Sequence, residues 1–98
     1  MTFKSIKFIM EGNHIFFDIN KLRYIGKNVI IGKTVRIINP ELVSIDDNTI
    51  IDDYTYISGE VSIDKYVHIG PSCSLHGIGS RIIIKDFVGI SAGSRIYW

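Results

Sequence analysis

Aliphatic residues recur at every sixth position along most of this chain. The series runs from Ile25 to Ile96, and its spacing holds without interruption from Ile45 to Leu75. A helix would place apolar residues three and four positions apart, and a half-buried strand would alternate at every second position. The pattern therefore predicts a repeating unit of a different kind. We call these residues the core series: Ile25, Ile31, Ile37, Ile45, Ile51, Ile57, Ile63, Ile69, Leu75, Ile84, Ile90 and Ile96.

A second series lies four residues after the first and consists of small or β-branched residues. Its members, called here the small series, are Val29, Val35, Thr49, Thr55, Val61, Val67, Cys73, Val88 and Ser94. Because residues two apart in a strand share a face, each small-series residue and the next core-series residue point the same way. Gly or Asp often follows the core residue, as at Gly26, Gly32 and Asp46, and these residue types favour tight bends. We therefore expect a short strand in every six residues, with a bend directly after the core residue.

The predicted architecture is a triangular solenoid. Three six-residue units close a coil of about eighteen residues, and no coil can bury its apolar face without a neighbour. The spacing lengthens after Ile37 and after Leu75, in both cases between the third unit of one coil and the first unit of the next. The two insertions are therefore expected as loops at the same corner. The predicted fold class is all-β, a parallel β-helix of about four triangular coils over residues 19–98.

The segment 1–18 lies outside the repeat. Two short apolar runs flank the pair Gly12 and Asn13, which predicts two strands joined by a turn. Such a segment can cap the first coil, since the end of a solenoid exposes apolar side chains and unpaired strand edges. A short amphipathic helix is the alternative for this segment.

Composition and charge exclude several functional classes. The chain has 98 residues, with 11 Lys and Arg against 10 Asp and Glu. No block of like charge suggests a nucleic-acid or polybasic membrane contact, and the apolar runs are too short to span a bilayer. The single Cys73 cannot form an intramolecular disulfide, and the N-terminus lacks the pattern of a secretion signal. These features predict a cytoplasmic protein.

Residues directly before the core series are expected to point outward. On the second face of the triangle these include Ile30, Ile50 and His68. An outward apolar pair such as Ile30 and Ile50 is more typical of a packing surface than of a solvated one. We therefore predict a subunit interface formed by these three residues.

Two further patterns have structural explanations. The pairs Asp46–Asp47 and Asp52–Asp53 recur with the period of the repeat, so we expect corner residues of which any one can be lost. Cys73 and His76 have the spacing of metal ligands, but one pair is too few for a zinc site. No metal is predicted.

Two long stretches of the repeat carry a family resemblance. They read IGKNVIIGKTVRIINPELVSIDDNTIIDDYTYISG and VSIDKYVHIGPSCSLHGIGSRIIIKDFVGISAGSRIYW, and DFVGISAGSRIY is their most specific part. They resemble the hexapeptide-repeat acyltransferases, in particular the sugar O-acetyltransferases related to galactoside, maltose and capsular-polysaccharide acetyltransferases. The resemblance implies a left-handed β-helix, a homotrimer, and acetyl transfer from acetyl-CoA to a hydroxyl or amine of a sugar or polysaccharide. It also implies a histidine general base at a site between subunits.

None of the three histidines of the chain matches the family's catalytic histidine, which follows a loop after the region similar to SAGSRIY. His14 lies in the N-terminal segment, and His68 lies on the predicted interface. His76 begins the second insertion and is the candidate for contact with an acceptor sugar, because loops often carry binding residues. The catalytic residue is therefore unassigned. The prediction is the N-terminal part of an O-acetyltransferase, inactive by itself.

Two other functions remain open. A non-catalytic β-helix module for trimerisation or scaffolding needs the same repeat and no catalytic histidine. The carbonic-anhydrase branch of the fold needs three metal-binding histidines, and only His68 lies at a suitable strand position. Binding of acetyl-CoA to this chain would favour the acetyltransferase.

Overall fold

The computed structural model describes residues 14–97, which form ten strands and two 3-10 helical turns. The turns are Ile19–Lys21 and Pro40–Leu42. All strand pairs are parallel. The strands are β1 (Tyr24–Ile25), β2 (Ile30–Ile31), β3 (Arg36–Ile37), β4 (Val43–Ile45), β5 (Ile50–Ile51), β6 (Tyr56–Ile63), β7 (His68–Ile69), β8 (Ser74–Ile84), β9 (Gly89–Ile90) and β10 (Arg95–Tyr97).

The strands stack as three faces of four coils, with the register that the core series predicts. On the second face, Ile31 pairs with Ile51, Ile51 with Ile69, and Ile69 with Ile90. The first and third faces share strands β6 and β8, which run through the corner between them. The predicted all-β parallel solenoid of about four coils is therefore confirmed.

The core is a column of aliphatic side chains along the axis of the solenoid. Core-series residues from Ile31 to Leu75 expose at most 2% of their surface. The small series fills the space between them, and the hydroxyl groups of its two threonines are satisfied: Thr49 donates to the Asp64 carbonyl and Thr55 to the Gly70 carbonyl. Burial of a whole Ile side chain stabilises a fold by about 1.5–3 kcal/mol. The stacked column is thus the main source of stability.

The bends lie at a different position from the one predicted. The left-handed backbone conformation occurs three residues after a core residue, as at Asn28, Asn48 and Tyr66, and not at the Gly or Asp directly after it. Gly26 has another role: a β-carbon there would collide with the Asp47 carboxylate of the next coil. Glycine is therefore required at this position for close stacking of coils.

The corner aspartates hydrogen-bond neighbouring coils. The Asp47 carboxylate accepts from the backbone N–H of Lys27 at 2.8 Å, and the Asp53 carboxylate accepts from the Thr34 hydroxyl at 2.8 Å. The prediction of corner residues is correct for these two. Such charge-assisted hydrogen bonds stabilise the fold. We therefore expect loss of Asp47 or Asp53 to lower stability, whereas the sequence had predicted that either could be lost.

The described part of the N-terminal segment packs on the first coil. Residues 14–18 form bends and no strand. The Ile15 backbone N–H donates to the Lys33 carbonyl, and Phe17 packs against the core. The remainder of the predicted strand–turn–strand segment, residues 1–13, lies outside the described residues.

Candidate functional site

Both insertions lie at the corner between the third and first faces. The first contains the 3-10 turn Pro40–Leu42. The second is not a separate loop: β8 continues through it, and residues 78–80 bulge out between the pairs Gly59–Gly77 and Glu60–Arg81. A bulge of this kind leaves the extra residues outside the strand pairing. Together the insertions line a groove of about 670 Å³.

His76 lies beside this corner on the third face and is half-buried. Its Nδ1 is 3.3 Å from the Ser58 hydroxyl oxygen, and its ring stacks on Tyr97 with centroids 4.7 Å apart. On the other side, the centroid of the Tyr56 ring lies 5.2 Å from that of His76. The ring is thus held within an aromatic stack, and no carboxylate among the described residues is bonded to it. Contact of His76 with an acceptor sugar stays a prediction.

The predicted interface residues form one column on the second face. Ile30 pairs with Ile50, and Ile50 pairs with His68. Both isoleucines are half-buried within the single chain, and His68 is exposed. The column exists as predicted, and its role as a subunit interface stays a prediction.

The structure also brings a carboxylate to His68. Nε2 of His68 lies 2.7 Å from Oδ2 of Asp52, and the two side chains are 58% and 39% exposed. A neutral imidazole that donates from Nε2 keeps a lone pair on Nδ1, so the bond to Asp52 both orients the ring and selects this tautomer. Such an imidazole can accept a proton from a bound group.

This pair was not predicted from the sequence, in which Asp52 was interpreted only as a corner residue. The spacing of the repeat nevertheless indicates that the two residues lie on adjacent coils. Positions before and after a core residue both point outward, and one coil is about eighteen residues long. Asp52 follows Ile51 and His68 precedes Ile69, so the two outward residues lie on adjacent coils, sixteen positions apart.

A hollow of about 450 Å³ adjoins this pair. It exists partly because position 89, which pairs with His68 on the next coil, is glycine. A β-carbon at Gly89 would meet nothing within 4 Å, whereas one at Gly70 would press against the backbone of Ala92. Gly70 is therefore needed for packing, and Gly89 leaves room for a small group next to His68.

The third histidine, His14, serves the fold. Its Nε2 donates to the Ile31 carbonyl at 3.0 Å, and its ring packs on Phe17. Within residues 14–97, Nδ1 has no hydrogen-bond partner. Desolvation by burial lowers the pKa of His14 below its usual 6.5, against the opposing effect of the Ile31 carbonyl.

We expect acid to destabilise the attachment of the N-terminal segment through His14. Because the pKa of His14 is lowered in the folded state, the unfolded chain binds the proton more readily, and stability falls as the pH drops below about 6.5. Urea unfolding at pH 7.5 and pH 5.5 would measure the fall in the wild type and in His14→Phe. The fall should be smaller in the variant; an equal fall in both would contradict this role.

Three further features of the described residues concern metal binding, membrane spanning and the single cysteine. Within residues 14–97, no three His, Cys, Asp or Glu side chains are grouped closely enough to hold a metal ion. No helix in the same range is long and apolar enough to cross a membrane. Cys73 is buried as a member of the small series, and its thiol contacts the Ser91 carbonyl.

Comparison with known proteins connects this solenoid to acyl transfer. No family model matches the chain, and no curated protein is significantly similar to it. Among solved structures it is similar to a serine-to-cysteine variant of AntD, an N-acyltransferase from Bacillus cereus in complex with dTDP-4-amino-4,6-dideoxyglucose and coenzyme A. The two share 32% identity with a TM-score of 0.76, over 99% of this chain.

This is a hexapeptide-repeat acyltransferase fold. The resemblance to the hexapeptide-repeat acyltransferases is thereby confirmed, and the O-acetyltransferase branch stays a prediction. The chain spans 46% of the length of AntD.

Proposed function

We propose that this chain is part of an acyl-CoA-dependent acyltransferase that modifies a sugar. The observation that carries the proposal is the structural match, over nearly the whole chain, to an N-acyltransferase in complex with a sugar nucleotide and coenzyme A. The donor we propose is acetyl-CoA. The family resemblance favours a hydroxyl acceptor and the AntD similarity an amine, so both belong in the test. We also propose a homotrimer in the cytoplasm, with Ile30, Ile50 and His68 at its interface.

His68 is the best-placed general base of the described residues, because it is the histidine there that is bonded to a carboxylate, and it also lines a hollow. In the proposed step, Nδ1 of His68 accepts the proton of the acceptor amine or hydroxyl. The acceptor nitrogen or oxygen forms a bond to the thioester carbonyl carbon, the carbon–sulfur bond breaks, and the leaving thiolate of coenzyme A takes up a proton. Asp52 stabilises the imidazolium that forms.

A matched pair of acceptors tests the proposal. The purified protein is incubated with acetyl-CoA and either dTDP-4-amino-4,6-dideoxyglucose or dTDP-6-deoxyglucose, which carries a hydroxyl in place of the amine. Thiol release measures turnover, and mass spectrometry identifies the acetylated sugar. Product from the amine only would establish N-acetyl transfer, and product from the hydroxyl would establish O-acetyl transfer. If neither sugar is modified and acetyl-CoA does not bind, the acyltransferase proposal is wrong, and the scaffold alternative becomes the better explanation.

A further inference from the structure

The outward positions of the third face carry arginine and aromatic side chains and no lysine, aspartate or glutamate. By contrast, Asp46 and Lys85 are outward residues of the first face, and Asp52 is one of the second face. Interfaces between proteins are enriched in tyrosine and arginine and depleted in these three residue types. The outward residues of the third face, which we call the third-face strip, are Arg36, Tyr56, Ser74 and Arg95 before the core series, and Ile38, Ser58, His76 and Tyr97 after it.

The two arginines of the strip give it a positive charge that nothing on the same face offsets. Arg36 and Arg95 are exposed, and within residues 14–97 neither lies within ion-pair distance of a carboxylate. Asp53 lies at the corner before this face, and its carboxylate accepts from the Thr34 hydroxyl at 2.8 Å and from the Thr34 backbone N–H at 3.3 Å. The strip therefore favours an anionic partner.

Aromatic rings occupy the second to fourth coils of the strip. The His76 ring stacks on Tyr97 and contacts Tyr56 on its other side. Tyr97 is still 61% exposed within this stack. Tyrosine combines a large apolar surface with a polar tip and is enriched at interfaces for that reason. The middle of the strip can therefore pack against an apolar side chain of a partner.

The size of the strip suits a short segment better than a folded domain. Arg36 and Arg95 are three strand spacings apart, through the register that runs over Tyr56 and Ser74, which is about 14 Å at about 4.8 Å per strand. The residues before and after a core residue are about 7 Å apart along each strand. Their side chains widen the strip to roughly 200 Å², whereas a stable interface between folded proteins takes about 800 Å² from each partner.

We propose that the third-face strip binds a short acidic segment of another polypeptide in an extended conformation. Side chains on one side of an extended chain recur at every second residue, so two carboxylates four residues apart are about 13 Å apart. They can meet Arg36 and Arg95 together, and the forked guanidinium groups match carboxylates in geometry. The residue midway between the carboxylates points the same way and packs on the aromatic rings. The segment thus has an acidic residue, an apolar residue two positions later and a second acidic residue two positions after that.

Two peptides of identical composition test this spacing. The spaced peptide is acetyl-Gly-Glu-Thr-Val-Thr-Glu-Gly-amide, and the clustered peptide is acetyl-Gly-Glu-Glu-Thr-Val-Thr-Gly-amide, each with a neutral fluorophore. Fluorescence anisotropy should show that the spaced peptide binds about two- to fivefold more tightly, the effect of one additional exposed ion pair. Its affinity should fall as ionic strength rises. Equal affinities would overturn the inference, because net charge and not spacing would then decide binding.

Variants of the strip locate the binding site. Arg36→Gln and Arg95→Gln should each weaken binding of the spaced peptide about two- to fivefold and remove its advantage over the clustered peptide. Arg81→Gln is the matched control, because it removes an exposed arginine outside the strip, and it should bind like the wild type. Circular dichroism checks that each variant is folded. Full affinity for the spaced peptide in a variant that carries both substitutions, Arg36→Gln and Arg95→Gln, would contradict the proposal.

Two measurements distinguish a polypeptide segment from other partners. A nucleic-acid strand carries a phosphate at every nucleotide, whereas the strip has no cation between its two arginines, so a thymidine octanucleotide should bind more weakly than the spaced peptide. Sedimentation velocity should give the same mass for the wild type and for the charge-reversed variant with Arg36→Glu and Arg95→Glu. Tighter octanucleotide binding, or self-association that the charge-reversed variant loses, would overturn the proposal in favour of that partner.

The strip is independent of the proposed acyl transfer, which is assigned to the second face. His68→Asn should therefore bind the spaced peptide with wild-type affinity. A loss of peptide binding in His68→Asn would place the peptide on the second face and would contradict the third-face site. Peptide binding by a chain that transfers no acyl group would support the strip and contradict only the acyltransferase.

Discussion

Replacing His68 with asparagine is expected to lower the rate of acyl transfer by about 10²- to 10⁴-fold, the usual contribution of a positioned general base. Asparagine keeps a polar group beside Asp52 but has no nitrogen lone pair that can accept the proton of the acceptor. The loss should therefore appear in kcat, measured by thiol release from acetyl-CoA. The circular dichroism spectrum of the variant provides the check that it is folded.

Two further variants test the arrangement around His68. Asp52→Asn should lower the rate by a smaller factor, because the ring keeps a hydrogen-bond partner but the imidazolium loses its counter-charge. Asp64→Asn is the matched control, since Asp64 also follows a core residue and, among the described residues, its side chain forms no hydrogen bond with a histidine. Gly89→Leu should fill the hollow and reduce activity without a clash at the β-carbon. Full activity in both His68→Asn and Gly89→Leu would show that the second face is not the reaction site.

Replacing Ile51 with alanine is expected to lower the free energy of unfolding by about 2–5 kcal/mol, the range for truncation of a fully buried aliphatic side chain. Ile51 is 0% exposed and pairs with Ile31 and Ile69 in the coils on either side. The cavity therefore lies in the middle of the stacked column, where the parallel strands hold their spacing and cannot collapse into it. Urea unfolding at a fixed protein concentration measures the change.

The neighbouring residue provides the control for this experiment. Ile50 has the same chemistry and the same strand, but its side chain points outward and is only half-buried. Ile50→Ala should cost about 1 kcal/mol or less, since little apolar area is lost and no internal cavity forms. Equal losses in the two variants would contradict the assignment of inward and outward positions. Both variants are measured at a protein concentration at which the chain is monomeric, because a lost subunit contact through Ile50 would otherwise add to the measured change.

The inward and outward positions were predictable from the sequence because every six-residue unit must bury its side chains in the same way. Every coil must bury the same three positions against its neighbours, so Ile31, Ile51, Ile69 and Ile90 report the register of the second face directly. The extra residues after Ile37 and Leu75 likewise located the shared corner. Chain geometry alone dictates that insertions at the same phase of a repeat emerge at the same place.

The bends were less predictable because several residue types meet the same backbone demand. Asn and Asp tolerate the left-handed conformation, but Tyr66 and Phe87 adopt it here as well, with φ of 56° and 65°. Their rings stack on each other with centroids 5.3 Å apart. A contact between coils therefore accompanies a conformation that neither residue prefers locally, and no local sequence rule contains that contact.

The solenoid can be derived from the sequence: its period, its inward faces, its coil register and its insertion corner all follow from burial at a fixed spacing. The chemistry on the surface depends on how the coils stack. Asp52 meets His68 because adjacent coils bring together residues that are sixteen positions apart in the chain. Outward residues do not contribute to the core, so the periodic pattern that specifies the fold places few constraints on them.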